Sequence, residues 1–491
     1  MYLNSSLKSY EKKYRKYKSK YQILKSHIGG VKGNLLQKVP SVNGGNCEPL
    51  PNPEEDDFST ANNLLDLCPE ERITIQNKCY EVRGLYRWMI ANNHNILPLT
   101  QTAITVEEKQ KLIQAYDTLP KIPNILTREK LIQIYPNLQY KTGINLFFKG
   151  YIDYTNISLG IFNNLPVLTF LSLQNNKIRE LQPGIFNNLL NLQELSFSNN
   201  QIQELQPGTF NNLPSLEILY LDNNQIKKLQ PNIFDNLPSL YQLYLKNNQI
   251  RELRPGIFNN LSILHKLWLN NNQIQELQPG IFNNLSRLNS LLLDHNQISI
   301  LQPNIFYNLP ALESLLLDHN QISILQPGTF NNLQRLSNLD LNNNQIQELQ
   351  PGTFNNLQRL SNLDLNNNQI QELYQGIFNN LPRLRELSLD NNQIRELQPN
   401  IFNNLSELRF LRLSNNQISI LQPGIFINLP ELIYLSLKDN QISELQPKTF
   451  NNLPRLESLI LSNNQIRELQ PPKVTLAKSY YRLNPSVQIQ I

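Results

Sequence analysis

The chain of 491 residues is 40% hydrophobic and 17% charged, with a formal net charge of +5. This length exceeds what one ordinary hydrophobic core encloses, so the chain contains either several domains or an elongated repeat array. Its three cysteines all precede residue 80, which excludes a disulfide framework for the rest of the chain. Because no stretch approaches 18 consecutive apolar residues, no membrane span is predicted.

Residues 1–30 are predicted to form a basic amphipathic tail. Residues 1–32 hold nine Lys and Arg residues against one Glu, so the positive charge of the chain is concentrated there. One helical face would collect the apolar residues that recur at steps of four and three, namely Tyr10, Tyr14, Tyr17, Tyr21, Leu24 and Ile28. Three interpretations stay open: a coiled-coil or docking helix, a basic segment that contacts nucleic acid or acidic lipid, and a solvated tail. The regular aromatic seam favours docking.

The first residues also bear on localisation. The segment MYLNSSLKSYEKKYRKYKSKYQ lacks the apolar core of a secretory signal peptide. An odd number of cysteines near one end is also untypical of a secreted, disulfide-bonded protein. We therefore expect an intracellular protein that is not secreted.

A linker over residues 31–60 precedes a small, mostly helical module that is predicted for residues 61–145. The middle of this module resembles a degenerate U-box, the metal-free relative of the RING domain that recruits ubiquitin-conjugating enzymes. The residues that carry the resemblance are Tyr80, Leu85, Trp88, His94 and Pro98. The first recognition loop is shortened to CPEERITIQN, so the resemblance implies the scaffold of a U-box, with ligase activity as an alternative.

The module has a simpler interpretation, which we favour. It is a small helical domain with Leu85 and Trp88 in its core. Zinc binding by Cys68, Cys79 and His94 is not predicted, because a fourth ligand is missing and the spacing fits no standard zinc finger.

From residue 146 to residue 471 the chain is a repeat array. Asn176 and twelve successors through Asn464 recur every 24 residues without insertion or deletion, and residues 326–349 are identical to residues 350–373. The consensus is L-x-x-L-x-L-x-x-N-x-I-x-x-L-x-P-x-x-F-x-N-L. It resembles the leucine-rich repeat family in its 24-residue form. We therefore predict an α/β fold, a leucine-rich repeat solenoid of thirteen repeats with a parallel concave sheet.

Each position of the repeat has a physical role. The two leucines of L-x-L alternate with an outward residue, so stacked coils bury one face of a parallel sheet. The phenylalanines from Phe162 to Phe450 are expected to stack on the opposite side. The family resemblance implies that the recurring asparagine bonds backbone groups of adjacent turns in a buried ladder. Residues 146–160 are predicted to form a half-repeat cap, and residues 472–491 a tail that covers the last coil.

Recognition is expected on the concave face, which thirteen strands would extend to about 60 Å. The outward residues of five neighbouring repeats form an apolar stripe with Tyr241 at its border: Tyr220, Tyr244, Trp268, Leu292 and Leu316. An acidic rim flanks the stripe: Asp294, Asp318, Asp340, Asp364 and Asp390. Tyr and Trp often anchor protein interfaces, and a contiguous apolar patch often marks one. The alternative is sheet packing combined with tandem duplication, which also produces stripes.

No enzyme activity, cofactor or metal site is predicted. His295 and His319 lie in the duplicated phrase LLLDHNQISILQP, so their pairing follows from copying, and exposed non-ligating histidines are expected. The repeats contain no catalytic triad, paired carboxylates or phosphate-binding loop. The predicted function is a scaffold that binds a protein partner.

The whole chain also resembles a group of viral proteins. Its basic Tyr/Lys tail ending in Ile-Gly-Gly, its Tyr-Trp-His-Pro module and its asparagine-rich repeats look like the uncharacterised leucine-rich repeat proteins of giant DNA viruses that infect amoebae. The resemblance implies a host or viral partner and a location in the host cytoplasm or the virion. Two alternative functions follow from it and from the U-box resemblance: a substrate-recognition subunit or degenerate ligase in ubiquitin transfer, and a structural virion component.

Overall fold

The computed structural model describes residues 72–75, 78–81, 105–118, 125–146, 154–446, 449–450, 452–466 and 488–490. The chain divides into two compact units. One comprises Met1–Pro123 with Phe148–Ile152, and the other comprises Asn124–Phe147 with Asp153–Ile491.

The described part of the first unit contains an antiparallel hairpin and a helix. Strand β1 (Arg72–Ile75) pairs with β2 (Lys78–Glu81), and helix α1 spans Val106–Thr118. Thr105 and Glu108 form a capping box, because the Glu108 amide donates to Thr105 Oγ1 at 3.1 Å and the Thr105 amide donates to Glu108 Oε2 at 2.8 Å. The described part of the predicted helical module therefore includes strands as well. Of the U-box-like residues, Tyr80 lies on β2, and the other four lie outside the described residues.

The second unit begins with a short capping segment. It contains β3 (Ile125–Leu126), α2 (Arg128–Ile134), a 3-10 turn (Leu138–Tyr140) and β5 (Asn156–Ile157), which pairs with β3. Thr127 caps α2 by accepting from the Lys130 amide at 3.4 Å. The buried Tyr135 hydroxyl accepts from the Asn145 amide at 2.8 Å and donates to the Asn145 carbonyl at 2.6 Å. These bonds hold the first strand of the main sheet in place.

The main sheet joins fifteen described strands, all parallel, in chain order. They are β4 (Gly143–Asn145), β6 (Phe170–Ser172), β8 (Glu194–Ser196), β10 (Ile218–Tyr220), β11 (Gln242–Tyr244), β13 (Lys266–Trp268), β15 (Ser290–Leu292), β17 (Ser314–Leu316), β19 (Asn338–Asp340), β21 (Asn362–Asp364), β23 (Glu386–Ser388), β24 (Phe410–Arg412), β26 (Tyr434–Ser436), β28 (Ser458–Ile460) and β29 (Gln488–Gln490). From β6 to β28, each residue pairs with the residue 24 positions further on, as Leu219 does with Leu243. The predicted parallel sheet is confirmed, and β4 and β29 extend it beyond residues 146–471.

Two-residue strands follow on the returning side of most coils. They are β7 (Glu180–Leu181), β9 (Glu204–Leu205), β12 (Glu252–Leu253), β14 (Glu276–Leu277), β16 (Ile300–Leu301), β18 (Ile324–Leu325), β20 (Glu348–Leu349), β22 (Glu372–Leu373), β25 (Ile420–Leu421) and β27 (Glu444–Leu445). They form short parallel ladders of their own. In each of them the second residue is buried and the first is exposed.

The core between these layers consists of the repeat leucines and isoleucines, most of them fully buried. Along its far side, rings such as Phe306 and Phe330 stack coil upon coil, with centroids between 5.8 and 6.4 Å apart. The predicted aromatic spine is therefore confirmed. Such stacking adds to the burial that already favours each phenylalanine in the core.

The buried asparagine ladder is also confirmed. Asn344 shows the pattern: its Oδ1 accepts from the Ile322 amide at 3.0 Å, and its Nδ2 donates to the Leu317 and Leu341 carbonyls, each at 3.0 Å. One side chain thus satisfies backbone groups of its own coil and of the preceding coil, where no water reaches them.

A second set of asparagines occupies left-handed backbone positions. Asn343 and Asn367 each have φ of 52°, and the corresponding residue of the other repeats has a similar value. Asparagine tolerates this conformation better than most residues do, because its short polar side chain bonds locally. His295 and His319 hold the same position in their coils, also with φ of 52°.

The ladder leads to a prediction for Asn344→Ala. The substitution leaves the buried Ile322 amide without its acceptor. It also removes one of the two asparagine donors to each of the Leu317 and Leu341 carbonyls, which keep Asn320 and Asn368. The free energy of unfolding should therefore fall by about 1–3 kcal/mol. Urea denaturation followed by circular dichroism measures the loss. Gln345→Ala is the matched control, because Gln345 is the adjacent residue and its side chain is exposed. Equal midpoints for the two variants would contradict a structural role for the ladder.

Candidate functional site

The candidate site lies on the outward side of the main sheet, which corresponds to the predicted concave face and is called the sheet face. The strand register makes Tyr220, Tyr244, Trp268, Leu292 and Leu316 direct neighbours in that order. The column then continues into Asp340 and Asp364.

Three aromatic residues at one end of the column form a cluster. The Tyr220 and Tyr244 rings stack with centroids 4.7 Å apart, and the Trp268 ring meets Tyr244 edge-on at 4.6 Å. Tyr244 is only 8% exposed, whereas Tyr220 and Trp268 are half-buried. The expectation of a continuous exposed stripe is corrected at Tyr244, because its two aromatic neighbours cover it. Tyr220 and Trp268 form the accessible part of this aromatic cluster.

Polar groups surround the aromatic cluster. The Tyr244 hydroxyl donates to Gln242, and Lys246 Nζ lies 5.6 Å from the centre of the Trp268 ring, within the range of a cation–π contact. Burial raises the pKa of Tyr244 to about 12, and the nearby Tyr220 and Asp222 act in the same direction. Tyr241, at the border of the stripe, is 40% exposed and stacks on His265 at 4.1 Å.

The carboxylates predicted as a rim occupy two adjacent columns of the sheet face: Asp340 and Asp364 continue the aromatic column, and Asp294, Asp318 and Asp390 lie two residues after an outward residue. We call these five residues the acidic strip. Local bonds hold several of them, since Asp340 Oδ1 accepts from the Asn342 amide at 3.0 Å and Asp364 Oδ1 from the Asn366 amide at 2.9 Å.

The acidic strip has unusual protonation behaviour. The pKa of Asp364 is raised to about 6, chiefly by burial and also by the charge of Asp340 in the preceding coil, while the hydrogen bond from the Asn366 backbone amide opposes the rise. Burial also raises the pKa of Asp294, Asp340 and Asp390 above the usual value for aspartate. Part of the strip therefore gains protons under mildly acidic conditions, and its charge falls with them.

The sequence prediction missed a basic and aromatic cluster at the far end of the sheet face. The Arg412 guanidinium lies 5.7 Å from the Phe410 ring and 5.8 Å from the Tyr434 ring, and its Nη1 lies 3.6 Å from Glu386 Oε2. Arg385 and Arg409 lie at the neighbouring edge positions of the same coils. The residues that form this cluster lie at the outward position itself and two and three residues before it, and only the sheet brings these positions of neighbouring repeats next to each other.

In the described second unit, the coils repeat every 24 residues, one face of a parallel sheet stays open, and a buried asparagine ladder joins the turns. These features define a leucine-rich repeat solenoid, a class whose sheet face generally serves as a non-enzymatic binding surface.

The chain belongs to the leucine-rich repeat family. The family pattern, described as leucine rich repeat, matches residues 166–226, 214–274, 262–322, 314–370, 358–418 and 411–466. No curated protein matches the sequence. Among the described residues, no helix has the length and hydropathy needed to cross a bilayer.

Solved structures share this fold. An internalin from Listeria monocytogenes is 26% identical, with a TM-score of 0.52 over 68% of this chain and 88% of that chain. A leucine-rich repeat protein of Leptospira interrogans is 26% identical, with a TM-score of 0.52 over 74% of this chain and 98% of that one. The plant peptide hormone receptor RGFR1 in complex with RGF2 is 26% identical, with a TM-score of 0.54 over 67% of this chain. The match spans only 52% of that receptor chain.

The acidic strip leads to a prediction of pH dependence. A carboxyl with a higher pKa in the folded chain binds its proton more tightly when folded. The stability it contributes is therefore present below about pH 4 and is lost as the pH rises through about 6. Asp364→Asn should remove this pH-dependent contribution. The variant should be more stable than the wild type at neutral pH, and its stability should change less between about pH 4 and about pH 6.

Thermal unfolding of both chains at intervals of half a pH unit checks this expectation. Glu276→Gln, at an exposed carboxylate on β14, is the matched control and should retain the wild-type slope. A wild-type slope in Asp364→Asn would show that this carboxyl does not titrate differently in the folded chain.

Proposed function

We propose that this protein is an interaction scaffold whose sheet face binds a protein partner. The observation that carries the proposal is the arrangement of that face: the aromatic cluster, the acidic strip and the Arg412 cluster follow one another along a single uninterrupted sheet. Interfaces combine aromatic anchors with complementary charges in this way.

The residues of the sheet face indicate which chemical groups a partner would need. Tyr220 and Trp268 offer flat apolar surface with polar edges, suited to an aliphatic or aromatic side chain of the partner. The acidic strip attracts Lys and Arg side chains, whereas Arg412 attracts a carboxylate. A partner that fits has an apolar anchor followed by a basic segment. The receptor RGFR1, bound to the peptide RGF2, gives an example of such a solenoid in complex with a polypeptide.

The competing explanation is that the aromatic residues only pack against each other. Tyr244 fits it, since it is nearly enclosed. It accounts less well for Trp268, whose Nε1 is buried without a hydrogen-bond partner among the described residues. A buried donor of this kind costs free energy unless something accepts its hydrogen bond.

The decisive test replaces Tyr220 and Trp268 together by serine, the residue that the first two repeats carry at the same position. The variant should keep the fold and bind its partner at least tenfold more weakly, because truncated aromatic anchors cost more than about 1.4 kcal/mol. Affinity capture from an amoeba lysate with the tagged full chain, followed by quantitative mass spectrometry, measures the loss.

Tyr307→Asn is the matched control, since Tyr307 is 51% exposed away from the main sheet and most other repeats have asparagine there. Proteins retained by the wild type and by Tyr307→Asn but lost by the double variant are sheet-face partners. The same set of proteins on all three chains would reject the proposal.

Finer proposals rest on the sequence resemblances. A host or viral partner inside the host cell follows from the likeness to giant-virus proteins, and nucleic acid or acidic lipid would bind only through residues 1–30.

The alternative in ubiquitin transfer predicts that the full chain forms ubiquitin conjugates in vitro and that Trp88→Ala and Pro98→Ala abolish them. If no enzyme pairing gives a product, the chain acts as a scaffold alone. Proteomics of purified particles tests the virion alternative.

A further inference from the structure

Two histidines and two aspartates meet on the sheet face at the turn that follows β15 and β17. One ligand atom each from His295, Asp318 and His319 lie within 4.8 Å of one another. The imidazole rings stack with centroids 4.1 Å apart. Asp318 Oδ2 lies 2.9 Å from His319 Nδ1 and 3.9 Å from His295 Nδ1, so it faces both rings. Duplication explains why the residues recur, but this convergence comes from the stacking of the coils.

Asp294 stands next to the same group. Its Oδ2 lies 3.1 Å from His295 Nδ1, and the residue is only 8% exposed. Its other oxygen, Oδ1, is buried without a hydrogen-bond partner among the described residues. A buried carboxylate with a free oxygen is stabilised by a cation.

We propose that His295, Asp318 and His319 bind a divalent transition-metal ion, of which Zn²⁺ is the representative, and that the neighbouring Asp294 adds negative charge beside them. The donor set of two imidazoles and one carboxylate suits Zn²⁺ and its neighbours in the first transition row, with water in the fourth position. It does not suit Ca²⁺ or Mg²⁺, which prefer sites made of oxygen ligands alone.

The geometry requires little rearrangement. Bonds of about 2.0 Å in a tetrahedral site place the ligand atoms about 3.3 Å from one another. The distances of Asp318 Oδ2 to the two imidazole nitrogens, 2.9 and 3.9 Å, lie on either side of that value. Both histidine side chains are 46% exposed, so they are free to tilt out of the parallel stack. A tilt is needed because the lone pairs of two parallel rings do not converge on one ion.

The other repeats provide the test variants. At the positions of His295 and His319 most repeats have asparagine, including Asn271 and Asn343, which share the left-handed backbone. His295→Asn combined with His319→Asn therefore removes both imidazoles without imposing a foreign backbone conformation. Asp318→Asn is a second, independent variant, because the next repeat has Asn342 at that position.

Isothermal titration of the full chain with ZnCl₂ measures binding. The wild type is expected to bind one more Zn²⁺ ion per chain than the double variant. If both chains bind the same number of ions, the wild type should bind one of them at least tenfold more tightly. Asp318→Asn should show the same loss. The comparison between the wild type and each variant excludes Zn²⁺ bound elsewhere in the chain, for example by the three cysteines, because all four chains share those ligands. His265→Asn, at another histidine of the sheet face, is the control and should bind as the wild type does.

Circular dichroism in the presence of EDTA establishes that all four chains have the same fold before titration. Added Zn²⁺ should then raise the melting temperature of the wild type and of His265→Asn more than that of the two ligand variants. Isotherms that coincide for all four chains, whether Zn²⁺ binds to all of them or to none, would overturn the proposal.

Discussion

The structure of the solenoid depends on one interaction, the pair of bonds that each ladder asparagine makes to two successive coils. Leaving the strand, the chain turns away with amides and carbonyls that face the core, where no water reaches them. Asn320 satisfies both coils at its turn. Its Oδ1 accepts from the Ile298 amide of the preceding coil, and its Nδ2 donates to the Leu293 carbonyl of that coil and to the Leu317 carbonyl of its own, each at 3.0 Å. An inserted residue would displace the amide from both partners, so each coil must have the same length as its neighbour.

This constraint on length produces the sheet face. Because every coil has 24 residues, equivalent positions stand beside each other across the sheet, and the outward residues form straight columns. Core positions hardly vary, since leucine, isoleucine and phenylalanine fill the same space in each coil. The outward columns of the sheet do vary, and their chemical character changes along the array from aromatic to acidic to basic. The duplication of residues 326–349 affects this pattern, because it sets Asp340 beside Asp364 and so raises the pKa of Asp364 beyond the effect of burial.

Much of the fold was predictable for this reason. The period, the buried leucines, the aromatic spine and the asparagine ladder all follow from the spacing of a few residue types. The strands β4 and β29 were not predicted, because Gly143–Asn145 and Gln488–Gln490 join the sheet through backbone bonds and lack the repeat consensus. The same holds for much of the asparagine content: a residue such as Asn343 is present because the backbone there is left-handed, which spacing alone does not reveal.

The candidate site was less predictable because its properties belong to pairs of coils. The column of outward residues follows from the register, but the burial of Tyr244 depends on how the rings of Tyr220 and Trp268 turn toward it. Arg412 meets Phe410 in its own strand and Tyr434 in the next strand, so no single repeat contains that cluster. His295 alone resembles any exposed histidine, and only His319 in the following coil gives it a second imidazole. The unusual side-chain clusters on this surface therefore form between neighbouring repeats, and copying a repeat, as with His295 and His319, is a direct way to create such a pair.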